Sequence, residues 1–121
     1  PMISEKQWDR ARGYLQPALD RGSNTHTTDD IRAGIISGLY QLWLGDKSAA
    51  ITRIESFPAY KICRVFLAGG DLVELKKIEV EITSFAKHQN CKSLQIIGRP
   101  GWERALENYK KAYVVLNKEL C

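Results

Sequence analysis

Three groupings in this 121-residue chain have residue types and spacings that could do chemistry. The first is Val65-Phe66-Leu67-Ala68-Gly69-Gly70-Asp71-Leu72-Val73-Glu74-Leu75, where an apolar run stops at two glycines and a helical pattern follows at once. A strand, a glycine corner and a helix N-terminus together offer free backbone N–H groups, the chemistry of a phosphate cradle. The second grouping is His88 with Cys91, which invites a thiolate–imidazole reading. The pair falls at a helix end without an orienting carboxylate, and a histidine there suits the helix dipole without any catalysis. The third is Arg99, Trp102 and Arg104, directly after an apolar strand pattern. Ligands favour the C-terminal edge of strands in open α/β sheets, and Trp and Arg are enriched at protein interfaces. The plainer alternative packs Trp102 under the last helix and leaves both arginines in solvent. His26 stands alone in a loop and cannot hold a metal by itself, and neither G-x-S-x-G nor a Walker sequence occurs. No metal site is expected.

Asp71 weighs against the cradle. As an N-cap its carboxylate would accept the same first-turn N–H groups that a phosphate needs, and its charge would repel a pyrophosphate. A capping Asp stabilises a helix by about 1 kcal/mol, which explains the corner with no ligand at all.

The elements that must position these groups read as follows. Ser4 with Gln7 is a capping box, and Trp8, Ala11, Leu15, Ala18 and Leu19 recur at helical spacing. Pro17 should end this helix near Gln16 or kink it. A second helix is predicted from Thr27 or Thr28 to Gly38, with Asp29 and Asp30 at its positive end. The period then changes to that of strands at 39–44, 49–56 and 60–68, joined by short turns as an antiparallel meander. Residues 71–88 give the clearest helix, with Leu72, Leu75, Ile78, Ile82, Phe85 and Ala86 in one stripe. A strand at 93–97 follows, so the unit should be a parallel crossover. A helix over 100–109 and a last strand over 112–117 complete the pattern. The fold class is α/β (α+β): a mixed sheet with helices on both faces, formed as one domain over residues 2–121, with Pro1 read as a cleavage scar before a natural Met2.

Composition narrows the function classes. The net charge is +4, from 18 basic and 14 acidic residues, and no basic run exceeds two. A nucleic-acid groove needs denser clustering, so nucleic acid is not an expected partner. Cys63, Cys91 and Cys121 are odd in number and widely spaced, which fits reduced thiols rather than a disulfide framework or a zinc ribbon. No apolar run approaches the ~20 residues of a membrane span.

The element order resembles that of the GNAT family of N-acetyltransferases with its first strand missing. The stretch Asn90–Leu120, "NCKSLQIIGRPGWERALENYKKAYVVLNKEL", is similar to the family's C-terminal half, ending in the Lys118-Glu119-Leu120 tail. Its "GRPGWERAL" segment also looks like small GNAT-like proteins of short-tailed bacteriophages, some of them internal virion proteins. The resemblance implies a V-shaped opening between strands 60–68 and 93–97 that would take acetyl-CoA. It places the pyrophosphate at Leu67, Ala68, Gly69, Gly70, Asp71 and Leu72, although the family's Gln/Arg-x-x-Gly-x-Gly/Ala spacing is incomplete here. It implies Glu55 as the nearest substitute for the family base and Tyr109 as the family acid. The alternatives are an exposed edge-strand carboxylate and a tyrosine closing a helix on the sheet. With Asp71 in the corner, the expectation is a phage-encoded GNAT-like protein without acetyl-CoA chemistry, located in the host cytoplasm or virion. It would bind a virion or host protein through Arg99, Trp102 and Arg104. An active acyl-CoA-dependent N-acetyltransferase is the alternative, and the absent first strand leaves room for a homo-oligomer at an open sheet edge.

Overall fold

A computed structural model describes residues 3–22, 25–98 and 101–120. Helix α1 spans Glu5–Arg21 and α2 spans Thr28–Ser37. Strands β1 (Tyr40–Leu44), β2 (Ser48–Ser56) and β3 (Lys61–Gly70) follow, then α3 (Leu72–His88), β4 (Ser93–Ile96) and α4 (Gly101–Ala105). The sheet order is β1-β2-β3-β4, antiparallel except for the parallel β3–β4 pair. The mixed sheet, meander and parallel crossover are those read from the sequence.

Both early helices begin with reciprocal capping boxes, Ser4 with Gln7 and Thr27 with Asp30. Gly38 ends α2 with φ +85°, a left-handed conformation suited to glycine. Pro17 does not end α1. The helix continues to Arg21 because Leu19, two residues past the proline, is buried against the sheet, and that packing outweighs one lost backbone bond.

The sheet is buried on both faces. On one, Trp8, Leu15 and Leu19 of α1 and Ile31 of α2 pack on Tyr40, Ala49, Ile51 and Leu67. On the other, Leu75, Ile78, Ile82 and Ala86 of α3 pack on Ala50, Cys63 and Val65. The alternation Ala49, Ile51 against Ala50 follows from the period-2 geometry of a strand. A β-bulge between Ile51 and Thr52 breaks the register, so Ile51 faces Leu67 while Thr52 faces Val65, leaving Phe66 as the extra residue.

Two expected elements differ at the C-terminus. The helix predicted over 100–109 is formed only at Gly101–Ala105, and Asn108 turns to φ 67° soon after. Residues 112–117 form no strand. Their Tyr and Val content suits a half-buried pleated surface, but they pair with no strand among the described residues, and propensity alone does not make a strand.

Candidate functional site

β3 and β4 share a ladder only as far as Val65 and Ile96, and Ile97 N–H donates to the Val65 carbonyl at 2.9 Å. Beyond that point β4 stops while β3 runs on beside β2 to Gly70. The strands part at the bulged Phe66, where the strand bends. A cleft of about 740 Å³ fills the opening. Phe66 to Gly70 line one side, and Ile96, Ile97, Gly98, Trp102 and Leu106 the other. Ala18, Leu19 and His26 close it towards α1, and Leu75, Ile78, Glu79 and Ile82 close it towards α3. The walls are mainly apolar, so the cleft suits an elongated apolar chain better than a highly charged ligand.

The glycine corner stands at the far end of this cleft. The two glycines are not a loop: both lie in β3, Gly69 opposite Ala49 and Gly70 opposite Ser48. Each is needed for packing. A Cβ on Gly69 would lie 2.2 Å from the Tyr14 carbonyl oxygen, because α1 crosses the strand there. Gly70 has φ +111°, and a Cβ on it would lie 2.3 Å from the Lys47 carbonyl oxygen. Asp71 is the N-cap of α3, and its Oδ2 accepts from Glu74 N–H at 2.9 Å. Asp71's own N–H donates to the Lys47 carbonyl at 2.9 Å. The strand therefore enters the helix through a single residue, and two of the corner's donors are already used. Glu74 adds a second carboxylate, which accepts from Ser48 Oγ and from Lys47 N–H at 2.9 Å. Those two bonds hold its pKa below the ordinary carboxylate value.

The residues suggested for proton transfer lie elsewhere. Glu55 is on β2, which is an interior strand, so it is not the edge-strand carboxylate expected from the sequence. Its Oε2 accepts from Arg64 Nη1 at 2.7 Å and its Oε1 from Arg53 Nη2. Both oxygens are committed to guanidinium groups. The Nε atoms of Arg53 and Arg64 are buried with no hydrogen-bond partner among the described residues. Tyr109 is half-buried. Burial first, then the neighbouring Glu79 carboxylate, raise its pKa, so the hydroxyl stays protonated. Glu79 is in the cleft wall, whereas Tyr109 is not among the lining residues.

His88 is exposed at the end of α3, and Cys91 packs at the rim of the α3 core. Burial raises the pKa of both Cys91 and Cys63, the latter to about 11, so neither is disposed to be a thiolate. Arg99 lies outside the described residues. Trp102 turns inward, lining the cleft and packing so close that a Cβ on Gly98 would meet its ring at 2.7 Å. Arg104 is exposed.

His26 is the residue that sequence spacing does not reveal. Its Nδ1 is 2.8 Å from Thr25 Oγ1 and its Nε2 3.4 Å from the Tyr40 hydroxyl. Its ring lies 5.8 Å from that of Phe66, at the point where the strands part. Nothing within the 22–27 loop signals this, because the neighbours are 14 and 40 residues away in the chain.

Neither family models nor curated proteins match this chain. Solved structures do match. A probable acetyltransferase aligns over 98% of this chain and 94% of its own, with TM-score 0.73 and 6% identity. The fold is that of the GNAT N-acetyltransferases. A GNAT family acetyltransferase of Staphylococcus aureus aligns over 99% of this chain and 96% of its own, with TM-score 0.65 and 12% identity. An aminoglycoside acetyltransferase from an uncultured soil metagenomic sample, solved with sisomicin, aligns over 98% and 93%, with TM-score 0.67 and 8% identity. At these identities the GNAT likeness is one of fold. The cleft between β3 and β4 is the V expected from that fold.

Proposed function

We propose that this chain is a GNAT-fold protein whose coenzyme phosphate site is closed, and that it works by binding another protein. The observation that carries this reading is the Asp71 cap. It occupies Glu74 N–H, its own N–H is used by Lys47, and its negative charge would repel a pyrophosphate brought to that corner. Glu74 places a second negative charge in the same corner. The glycines there are accounted for by the passage of α1 and of the β1–β2 turn. Glu55 has each oxygen paired with an arginine guanidinium, which favours its ionised form and disfavours its taking up an amine proton. The sequence resemblance to phage GNAT-like proteins supports a virion component or a host factor as the partner; of the docking trio read from the sequence, Arg104 is exposed, Trp102 is turned into the cleft and Arg99 lies outside the described residues.

A second reading, an acyl-CoA-dependent N-acetyltransferase, is favoured by the cleft itself, which is open and apolar. In that reading Tyr109, kept protonated, is the acid, and residues 67–72 hold the coenzyme. Calorimetric titration of the purified protein with acetyl-CoA and with CoA at low salt separates the two. The closed corner predicts no binding up to millimolar ligand, and that absence should persist for both ligands. Micromolar binding of either would overturn the reading and place the transferase first. Asp71→Gly costs the helix only a few tenths of a kcal/mol, yet removes the charge and frees an N–H group. It should bind inorganic pyrophosphate more tightly than the unmodified chain.

A further inference from the structure

Two unfinished features meet at one place. β4 is an edge strand, and among the described residues its only ladder partner is β3. An edge strand turns a row of N–H and C=O groups outward, and proteins usually blunt it with charge, proline or a bulge. Ser93-Leu94-Gln95-Ile96 has none of these. The second feature is the segment Ala112 to Asn117. It is β-forming in sequence yet belongs to no strand, and Tyr113, Val114, Val115 and Leu116 are 55%, 67%, 78% and 91% exposed. Four consecutive exposed apolar residues are not the scattered single ones of an ordinary surface.

The segment is held beside this edge but out of its plane. Arg64 Nη2 donates to Gln95 Oε1 of β4 at 2.9 Å and to the Tyr113 hydroxyl at 3.3 Å. Arg64 is opposite Arg53, whose guanidinium lies over Phe66 on the α1/α2 face. Tyr113 is thus anchored over the face of the sheet, and the chain's own edge stays open.

We propose that the chain forms a twofold dimer in which residues 112–117 of each copy add as a strand to β4 of the other. Among the described residues the edge lacks a strand, and the same chain carries an unpaired strand-forming segment tethered next to that edge. Exchange across a twofold axis is reciprocal, so it closes at two copies. It pairs the backbone groups of both edge and segment, and covers the exposed apolar side chains. The proposal is independent of what the cleft binds.

Sedimentation equilibrium of the full chain from micromolar to millimolar concentration tests it. The expected result is a monomer that converts to a dimer as concentration rises. Val114→Pro, which removes a ladder N–H, and Val115→Asp, which charges the strand, should each weaken the dimer tenfold or more. Both sites are exposed, so circular dichroism of the monomer should not change. Val80→Asp, on the exposed side of α3, should leave association unaltered. A monomer throughout overturns the proposal, and so does a dimer indifferent to both variants. Association beyond two copies overturns the twofold arrangement. Protection of the 113–116 amides from hydrogen exchange in a monomer would show the segment on its own β4, and would also overturn it.

Discussion

Gly69 and Asp71 show how one residue can look like a ligand site while serving the fold. Gly69 is glycine because the Tyr14 carbonyl of α1 passes where a side chain would be. The contact is with backbone, so no rotamer change relieves it. Gly69→Ala should therefore destabilise the protein by about 1–3 kcal/mol, the usual cost of overpacking. Urea unfolding would show this as a lower midpoint with an unchanged slope. If the glycine served a phosphate instead, the substitution would change anion affinity and leave the midpoint alone. The corner's residue types were legible in the sequence, and so was the capping role of Asp71. The passage of α1 over Gly69 was not, because Tyr14 is 55 residues away in the chain and only the folded sheet brings it there.

At the scale of the element, α1 and α3 each depend on one local arrangement. α1 runs through Pro17, which is exposed and leaves the Gly13 carbonyl without its usual N–H donor. Pro17→Ala restores that donor, and should raise stability by about 1–3 kcal/mol given the penalty for proline inside a helix. A thermal or urea midpoint measures it. α3 is tied to the β1–β2 turn by Glu74, whose folded pKa lies below its ordinary value of 4.5. A carboxylate with a lowered folded pKa adds stability that is present above pH 4.5 and is lost as pH falls through the lower folded value. Glu74→Gln should therefore flatten part of the acid limb of a stability–pH curve, whereas Asp30, lowered by its bonds to Thr27, should still contribute. Urea midpoints measured from pH 6 down to pH 3 would show this. An acid limb unchanged in the variant would mean that the Glu74 bonds carry no net stability. The element types came from periodicity and caps, which are local. Their extents at Pro17 and after Ala105 did not, because packing carried one helix onward and its lack let the other stop.

For the whole molecule, one sheet separates two cores. Leu15 belongs to the α1/α2 side and Ile82 to the α3 side, both buried, and the two clusters share no residue. Leu15→Ala and Ile82→Ala should each cost about 2–5 kcal/mol. With no shared neighbour, the double variant should cost their sum to within about 0.5 kcal/mol. Chemical unfolding of the four chains completes the cycle, and a coupling well above that margin would show that the faces do not pack independently. Because both faces are covered, a ligand's way into the sheet is the gap where β3 and β4 part, and further strands could add only at the outer edges of β1 and β4.

The sequence by itself determined the class of fold, the order of helices and strands as far as α4, the helix N-caps and most of the apolar stripes that face each core. All of these follow from periodicity and short-range hydrogen bonding, which neighbouring residues settle between themselves. Only the tertiary structure decided where the strands part, which places His26 beside Phe66 at the cleft, commits Glu55 to Arg53 and Arg64, and leaves residues 112–117 without a partner strand. Those outcomes depend on a one-residue bulge and on contacts between residues far apart in the chain. The cost and reward of such contacts are set by which surfaces finally meet, and no local pattern encodes that.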